Sequence, residues 1–384
     1  MHPTVKPALR RAWRERQTVQ FGITPAHAVL VGPVDTATGS FLELLDGTRG
    51  LPLLREEARA MGLPDGLADS LVKRLTRAGL IDDADAGGGA ADALRKRTAV
   101  LDRMRPDLAS LSVIHPEPGA GARRLAARRT MRVQVRGAGR VGAAVAALLA
   151  ASGIGRVDVL DGGCAQAWDV SPGGLPPGSV GERRDTAARQ LVRKSAPGRA
   201  PRAAEFAESG GEGEPGLSLV IVAPRDGLAA YAPDPAPAEP WISTGTPHLY
   251  AGVIEATGVV GPLVLPGGTA CAGCVAGERA DRDPGWPRML AQWRSGRGAG
   301  AGAVPACDLG LATAVAGLAA AHALSFLDGE LPASTGARWE ASLPLLDWRS
   351  ERIAPHPECP CGAAGRREEE HMAGTGASHD TMAG

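Results

Sequence analysis

The sequence predicts an α/β protein: a large domain built on a parallel sheet flanked by helices, with a small α+β unit ahead of it. The large domain is predicted by a strand, glycine turn, helix and strand in MRVQVRGAGRVGAAVAALLAASGIGRVDVLD, a single βαβ unit. The small unit is predicted by two short strand-like runs, TVQFG and AHAVLVG, followed by amphipathic helical spacing.

Taken in order, residues 1–17 read as a basic N-terminal tail, and residues 18–83 as the small unit. Leu42, Leu44 and Leu45, then Leu67, Leu71, Leu75 and Leu80, recur at the spacing of small buried helix faces, and a winged-helix shape fits that order. Residues 84–105, opening with the Gly/Ala-rich DADAGGGAADA, read as a flexible linker. Residues 106–362 form the large domain. There GERRDTAARQLVRK reads as a helix, LSLVIVA and PWISTG as strands, and HLYAGVIEATGVVGPLVLPGG as a hairpin. DLGLATAVAGLAAAHALSFLDG is a helix, and short strands are expected around RWEASL and LLDWRS. Residues 363–384 have too little apolar content to bury and are expected to be disordered.

Gly137-Ala138-Gly139-Arg140-Val141-Gly142 is a GxGxxG between strand and helix, the setting that makes the domain Rossmann-like. Gly137, Gly139 and Gly142 permit a tight turn, backbone approach to a phosphate and close helix packing, and the helix dipole favours an anion there. Asp161 ends the second strand, where a carboxylate accepts hydrogen bonds from ribose hydroxyls. A second constellation is CxxC at Cys271 and Cys274 with CxC at Cys359 and Cys361. Four thiolates in a reducing compartment suit a closed, structural zinc site, with a redox CxxC or unrelated thiols as the alternatives. His356 lies close enough in sequence to compete as a ligand. Cys307, just ahead of a helix starting at Asp308, reads either as an activated nucleophile or as a small packed residue, and Cys164 carries the same ambiguity.

The glycine loop with Asp161, the GPLVLPG run leading into CxxC, and the late CxC together resemble the ThiF/MoeB/HesA family over residues 130–362. The resemblance implies an adenylyltransferase that uses ATP and magnesium to activate the C-terminal carboxylate of a ubiquitin-like protein or peptide, usually as a homodimer. It places phosphates at Gly137 to Gly142 and the ribose at Asp161. Where the family shows Asn-Leu-x-Arg-Gln this chain reads GGCAQAWDVSPGGLPPGSVG, which offers no arginine. The family's Gly-x-x-Lys becomes Gly181-Glu182-Arg183-Arg184, so Arg184 takes the lysine's place, and Asp226 falls nearest the magnesium-binding aspartate. The small unit resembles the PqqD-like peptide-recognition domain of azoline-forming pathways, through QFG, LLDGTRG and AGLID. That likeness implies a precursor peptide as ligand and a cyclodehydratase as partner.

Composition narrows the classes. Lys plus Arg and Asp plus Glu both number 42, so no global field attracts nucleic acid or an anionic membrane. No N-terminal signal-type apolar segment is evident, and no later stretch reads as long and apolar enough to span a bilayer, so a cytoplasmic protein is expected. Three functions fit: an active adenylyltransferase, a degenerate scaffold that binds a leader peptide for a cyclodehydratase, and an NAD-dependent dehydrogenase. No hydride-transfer base is identifiable for the last.

Overall fold

A computed structural model describes residues 1–198, 216–296 and 304–365. The chain divides into two compact units, Met1–Arg129 and Thr130–Gly384.

In the first unit β1 (Pro3–Val5) pairs antiparallel with β5 (Ile81–Asp83), while β2 (Arg11–Glu15), β3 (Thr18–Phe21) and β4 (Val29–Val31) form a three-stranded antiparallel sheet in that order. Helices Thr36–Glu43, Leu51–Ala60 and Leu67–Arg77 supply the core that Val19 and Phe21 of β3 enter: Phe41, Leu54 and Leu75 are fully enclosed. The expected basic tail at residues 1–17 is therefore corrected to two strands. Residues 84–105 are likewise no free linker, because helices Gly89–Arg95 and Thr98–Arg103 occupy them. Leu94, packed with Met104, Leu111 and Leu125, gives this segment a core of its own that the glycines mask in the sequence. Lys6 binds the ends together: its buried ammonium donates to the carbonyl of Ser112 in the last turn of helix Arg105–Ile114 at 2.5 Å and to that of Pro116 just past it at 3.3 Å, where the helix leaves acceptors without a partner in the helix itself. Burial lowers its pKa against the pull of Asp82 and Glu117. The boundary consequently falls at residue 129 rather than near 106.

The second unit is one seven-stranded sheet in the order β12-β11-β10-β9-β8-β6-β7. Its parallel half comprises β6 (Arg132–Arg136), β7 (Arg156–Leu160), β8 (Leu219–Val222) and β9 (His248–Ile254). The rest, β10 (Thr257–Val264), β11 (Ala337–Ser342) and β12 (Arg349–Arg352), runs antiparallel. The central parallel strands β8 (LVIV) and β9 (HLYAGVI) are buried along almost their whole length, whereas β6 (RVQVR) and β7 (RVDVL) alternate and bury Val133, Val135, Val157 and Val159. Helix Arg140–Ala151 packs against Arg184–Ser195 and Leu309–Leu327, and the last also lies on β9 and β10. PWISTG, expected as a strand, is the helix Glu239–Ser243: Pro240 suits a first turn, and Trp241 is buried.

Leu309–Leu327 is the one helix among the described residues long and apolar enough by length and composition to cross a membrane, which corrects the expectation that no stretch qualifies. Here its Leu311, Val315, Ala319 and Ala323 face the sheet core. The C-terminal tail expected to be disordered lies outside the described residues beyond 365.

Because β6 has β7 on one side and β8 on the other, the chain reverses direction there, and the carboxyl ends of these strands open a crevice. The glycine loop follows β6 directly.

Candidate functional site

Gly137 turns the chain at φ +112°, and a Cβ there would sit 1.9 Å from the carbonyl oxygen of Ala223. Gly142 is as constrained, since its added Cβ would meet the Gly137 oxygen at 2.1 Å. The sequence therefore needs glycine at both places for helix Arg140–Ala151 to start against β6 and β8. Asp161 follows β7, and its Oδ2 accepts from the Ala138 amide at 2.8 Å while its Oδ1 accepts from the Gly163 amide at 3.0 Å. One carboxylate thus braces the loop it was expected to serve.

Arg184, at the start of helix Arg184–Ser195, turns onto that carboxylate, its Nε 2.9 Å and its Nη2 2.8 Å from Asp161 Oδ1. Burial alone would raise the pKa of Asp161, but Arg184 and the two amides outweigh it and hold the carboxyl below its ordinary value. The fold thus brings Arg184 and Asp161 together with the glycine loop. Asp226 stands apart from them: it is exposed, and its carboxylate accepts only from the Leu228 amide, at 3.2 Å, among the described hydrogen bonds.

Three charged residues here were not singled out from the sequence. Arg225 lies over the loop, so that a Cβ on Gly139 would meet its Cγ at 3.1 Å. Its guanidinium rests 5.6 Å over the Trp168 ring and donates to Asp169 at 2.6 Å and to Gln166. Asp169, almost fully buried, also faces Arg184 at 3.8 Å. Arg140, the variable position inside the motif, donates to the Trp168 and Cys307 carbonyls at 2.6 and 2.7 Å. The segment without the expected arginine therefore folds into a short turn, Ala167–Asp169, which receives arginines from elsewhere. The signal available in the sequence was the adjacency of Arg225 to Asp226.

Elsewhere in the unit, Cys271 is the N-cap residue of helix Ala272–Arg282 and Cys274 lies in its first turn, while Cys359 and Cys361 come from the loop after β12. All four sulfurs lie within 4.8 Å of one another, with neighbouring pairs at 3.5, 3.6 and 3.9 Å. A tetrahedron of thiolates around zinc, with metal–sulfur bonds near 2.3 Å, has edges of about 3.8 Å. The hydrogen bond to Cys271, then burial, push the Cys274 thiol up to about 12, and burial pushes Cys359 up to about 11. Four sulfurs from two separate segments, rather than one CxxC pair, converge here, and a metal ion is the counter-charge that suits such a set of thiols. His356 is turned away from the sulfurs, its Nε2 3.0 Å from Asp281. Cys307 is half-buried and its pKa is raised by that burial, contrary to an activated nucleophile. Cys164 is exposed.

The sequence matches the ThiF family over residues 115–361. The chain belongs to the ThiF family. Both the glycine loop and the cysteine cluster of this ThiF member lie inside the matched stretch. No curated protein matches the sequence. Among solved structures, the fold is similar to that of E. coli MccB crystallised with succinimide, at 15% identity and a TM-score of 0.66, covering 94% of this chain and 99% of that one. The microcin C7 biosynthetic enzyme MccB in complex with N-formylated MccA is equally similar, at 15% identity and TM-score 0.66, covering 94% of this chain and 100% of that one. The heterocyclase TruD matches at 14% identity and TM-score 0.59, with 96% of this chain but 44% of the other covered. At these identities the likeness speaks for the fold.

Proposed function

We propose that this ThiF-family protein activates the C-terminal carboxylate of a peptide with ATP. The observation that carries the reading is the glycine loop braced by Asp161 and ringed by Arg140, Arg184 and Arg225 at the carboxyl ends of β6 and β8. Family membership and the MccB fold, known with ATP and with MccA bound, support it. The peptide carboxylate oxygen attacks the α-phosphorus, the bond to the bridging oxygen breaks, and pyrophosphate leaves with that electron pair. Charge builds on the phosphate oxygens, and arginine is suited to meet it in two-pronged fashion. In this reading Arg184 and Arg225 exchange Asp161 and Asp169 for phosphate oxygens, which frees Asp161 for the ribose hydroxyls. Magnesium, held from the side of Asp226, would supply further neutralisation of the phosphates. Zinc held by Cys271, Cys274, Cys359 and Cys361 would have no open position for chemistry and would fasten the helix Ala272–Arg282 to the loop at 359–361.

The first unit is read as a winged-helix, PqqD-like module that selects the peptide, and the assembly as a cytoplasmic homodimer serving a precursor peptide and a cyclodehydratase partner. The strand expected at Thr18–Phe21 is central in its sheet, so the edges are β2 and β4, and β4, where Leu30 is 54% exposed, is taken as the one for strand addition. Leu30→Asp should weaken peptide capture while leaving ATP binding unchanged, read by calorimetry with the full chain. Exchange of labelled pyrophosphate into ATP, dependent on a peptide acid and abolished by Gly139→Asp, tests the central reading. Peptide binding without any exchange would leave a leader-binding scaffold instead.

A further inference from the structure

The three arginines around the glycine loop are held in different ways. Arg184 is ion-paired with Asp161 at 2.8 Å and Arg225 with Asp169 at 2.6 Å, and both carboxylates are almost fully buried. Arg140, among the described residues, has only neutral partners: its Nε donates to the Trp168 carbonyl at 2.6 Å and its Nη1 to the Cys307 carbonyl at 2.7 Å. A guanidinium that leaves a carbonyl for a phosphate oxygen exchanges a neutral acceptor for a charged one and makes a stronger bond. One that leaves a buried carboxylate gains no such difference and strands the acid behind it. Arg140 is therefore the member of the ring that an arriving phosphate recruits most readily. It is also the first residue of helix Arg140–Ala151, whose N-cap Gly139 offers no side chain to the opening amides, so guanidinium and amides serve the same anion.

What Arg140 holds gives the exchange a consequence. Cys307 belongs to residues 304–308, the stretch ahead of helix Leu309–Leu327. At one side the Ala306 carbonyl accepts from the Ala256 amide, in the turn that follows β9, at 2.9 Å. The Cys307 amide is satisfied inside the stretch by the Pro305 carbonyl at 2.8 Å. The stretch thus runs from the β9–β10 turn to the glycine loop, and among the described residues Arg140 makes the hydrogen bond that ties it to the loop. Little else pins it, since Val304, Ala306 and Asp308 are all exposed. The Cys307 thiol is half-buried, within electrostatic reach of Arg140 and Asp169.

We propose that Arg140 is a phosphate-binding residue, the first of the three to be taken by the nucleotide, and that its transfer from the Cys307 carbonyl to the phosphates frees residues 304–308 from the loop on the β9 side of the crevice. The assignment rests on reading the glycine loop as the ATP site. With the ribose at Asp161 after β7 and the phosphates between β6 and β8, that side is the one left for an acceptor.

Cys307 reports the release. Full-length protein is treated with iodoacetamide, with and without ATP and magnesium, alkylation at each cysteine is followed by peptide mass spectrometry, and ATP binding is measured by calorimetry. In the wild type, Cys307 should react about tenfold faster at saturating ATP, the effect of one lost hydrogen bond. Arg140→Ala should show the faster rate without nucleotide, gain nothing further from ATP, and bind ATP about tenfold more weakly. Arg140→Lys keeps a charge for phosphate but not the fork that reaches two carbonyls, so it should bind ATP within about threefold of the wild type while its Cys307 reacts fast throughout. An Arg140 that only braces the fold would leave the wild-type rate blind to ATP. An unchanged or slower Cys307 rate in wild-type protein with ATP bound, or equal ATP affinity in wild type and Arg140→Ala, overturns the proposal. So does acceleration confined to Cys164, whose carbonyl is held by Arg184 at 2.7 Å. Wild-type protein that binds no ATP at all overturns the nucleotide reading itself.

Discussion

The cysteine cluster and the glycine loop lie in one unit and were both visible as short motifs, yet folding treats them differently. At the cysteine corner the fold adds little: four sulfurs converge at spacings close to a tetrahedral edge, and the neighbouring histidine is engaged by Asp281. At the loop it adds charge the motif does not show. Arg184 and Arg225 arrive from segments far apart in sequence and are held by Asp161 and Asp169. A soft-metal site is specified by its ligands alone, whereas a phosphate site depends on whatever the surrounding segments deliver.

The comparison is broken most sharply at the cysteines. Cys271→Ser with Cys359→Ser should abolish stoichiometric zinc and destabilise the second unit by roughly 5 kcal/mol or more. Elemental analysis and a thermal melt read both effects, and full zinc occupancy in the double variant would refute the site. The loop should respond next. Gly137→Ala forces a side chain into a left-handed φ and against the Ala223 carbonyl, costing about 4 kcal/mol from backbone strain and overpacking together. Denaturant unfolding should show that loss, and ATP binding should vanish with it.

His248, at the start of β9, gives a smaller effect with a defined sign. Burial between Trp241 and Tyr250 depresses its pKa from 6.5 to about 4. Between those values the unfolded chain binds the proton and the folded chain does not, so stability is full above pH 6.5 and falls as pH drops toward 4. The loss amounts to about 3 kcal/mol at the acid end. His248→Leu should remove that component of the slope, and the difference between the two proteins separates it from acid release of metal. The smallest effect sharpens the loop side: Arg225→Ala should weaken ATP by about tenfold, or 1.4 kcal/mol, in calorimetry. Unchanged affinity would mean that Arg225 only holds the Ala167–Asp169 turn in place.

The elements best legible in advance were those with strong local patterns. The β6–helix–β7 unit, the β9–β10 hairpin and helix Leu309–Leu327 all follow from apolar runs and glycine punctuation. Short segments are less legible: Glu239–Ser243 resembles a strand in sequence because its apolar residues are too few to show a period, and residues 84–105 resemble a linker because glycine hides the spacing of Ala91 and Leu94. Strand β2 was missed because all five of its residues are exposed, leaving no alternation to detect.

By itself the sequence determined the ThiF membership, the loop glycines and the four cysteines, because each depends on residue type at fixed short spacing. The tertiary structure alone decided which charges meet. Arg225 over Gly139, Arg184 on Asp161 and Lys6 on the Ser112 carbonyl all join residues distant in the chain. Such pairings leave no local signature, since a buried charge is stabilised by whichever partner the packed elements bring within hydrogen-bond reach.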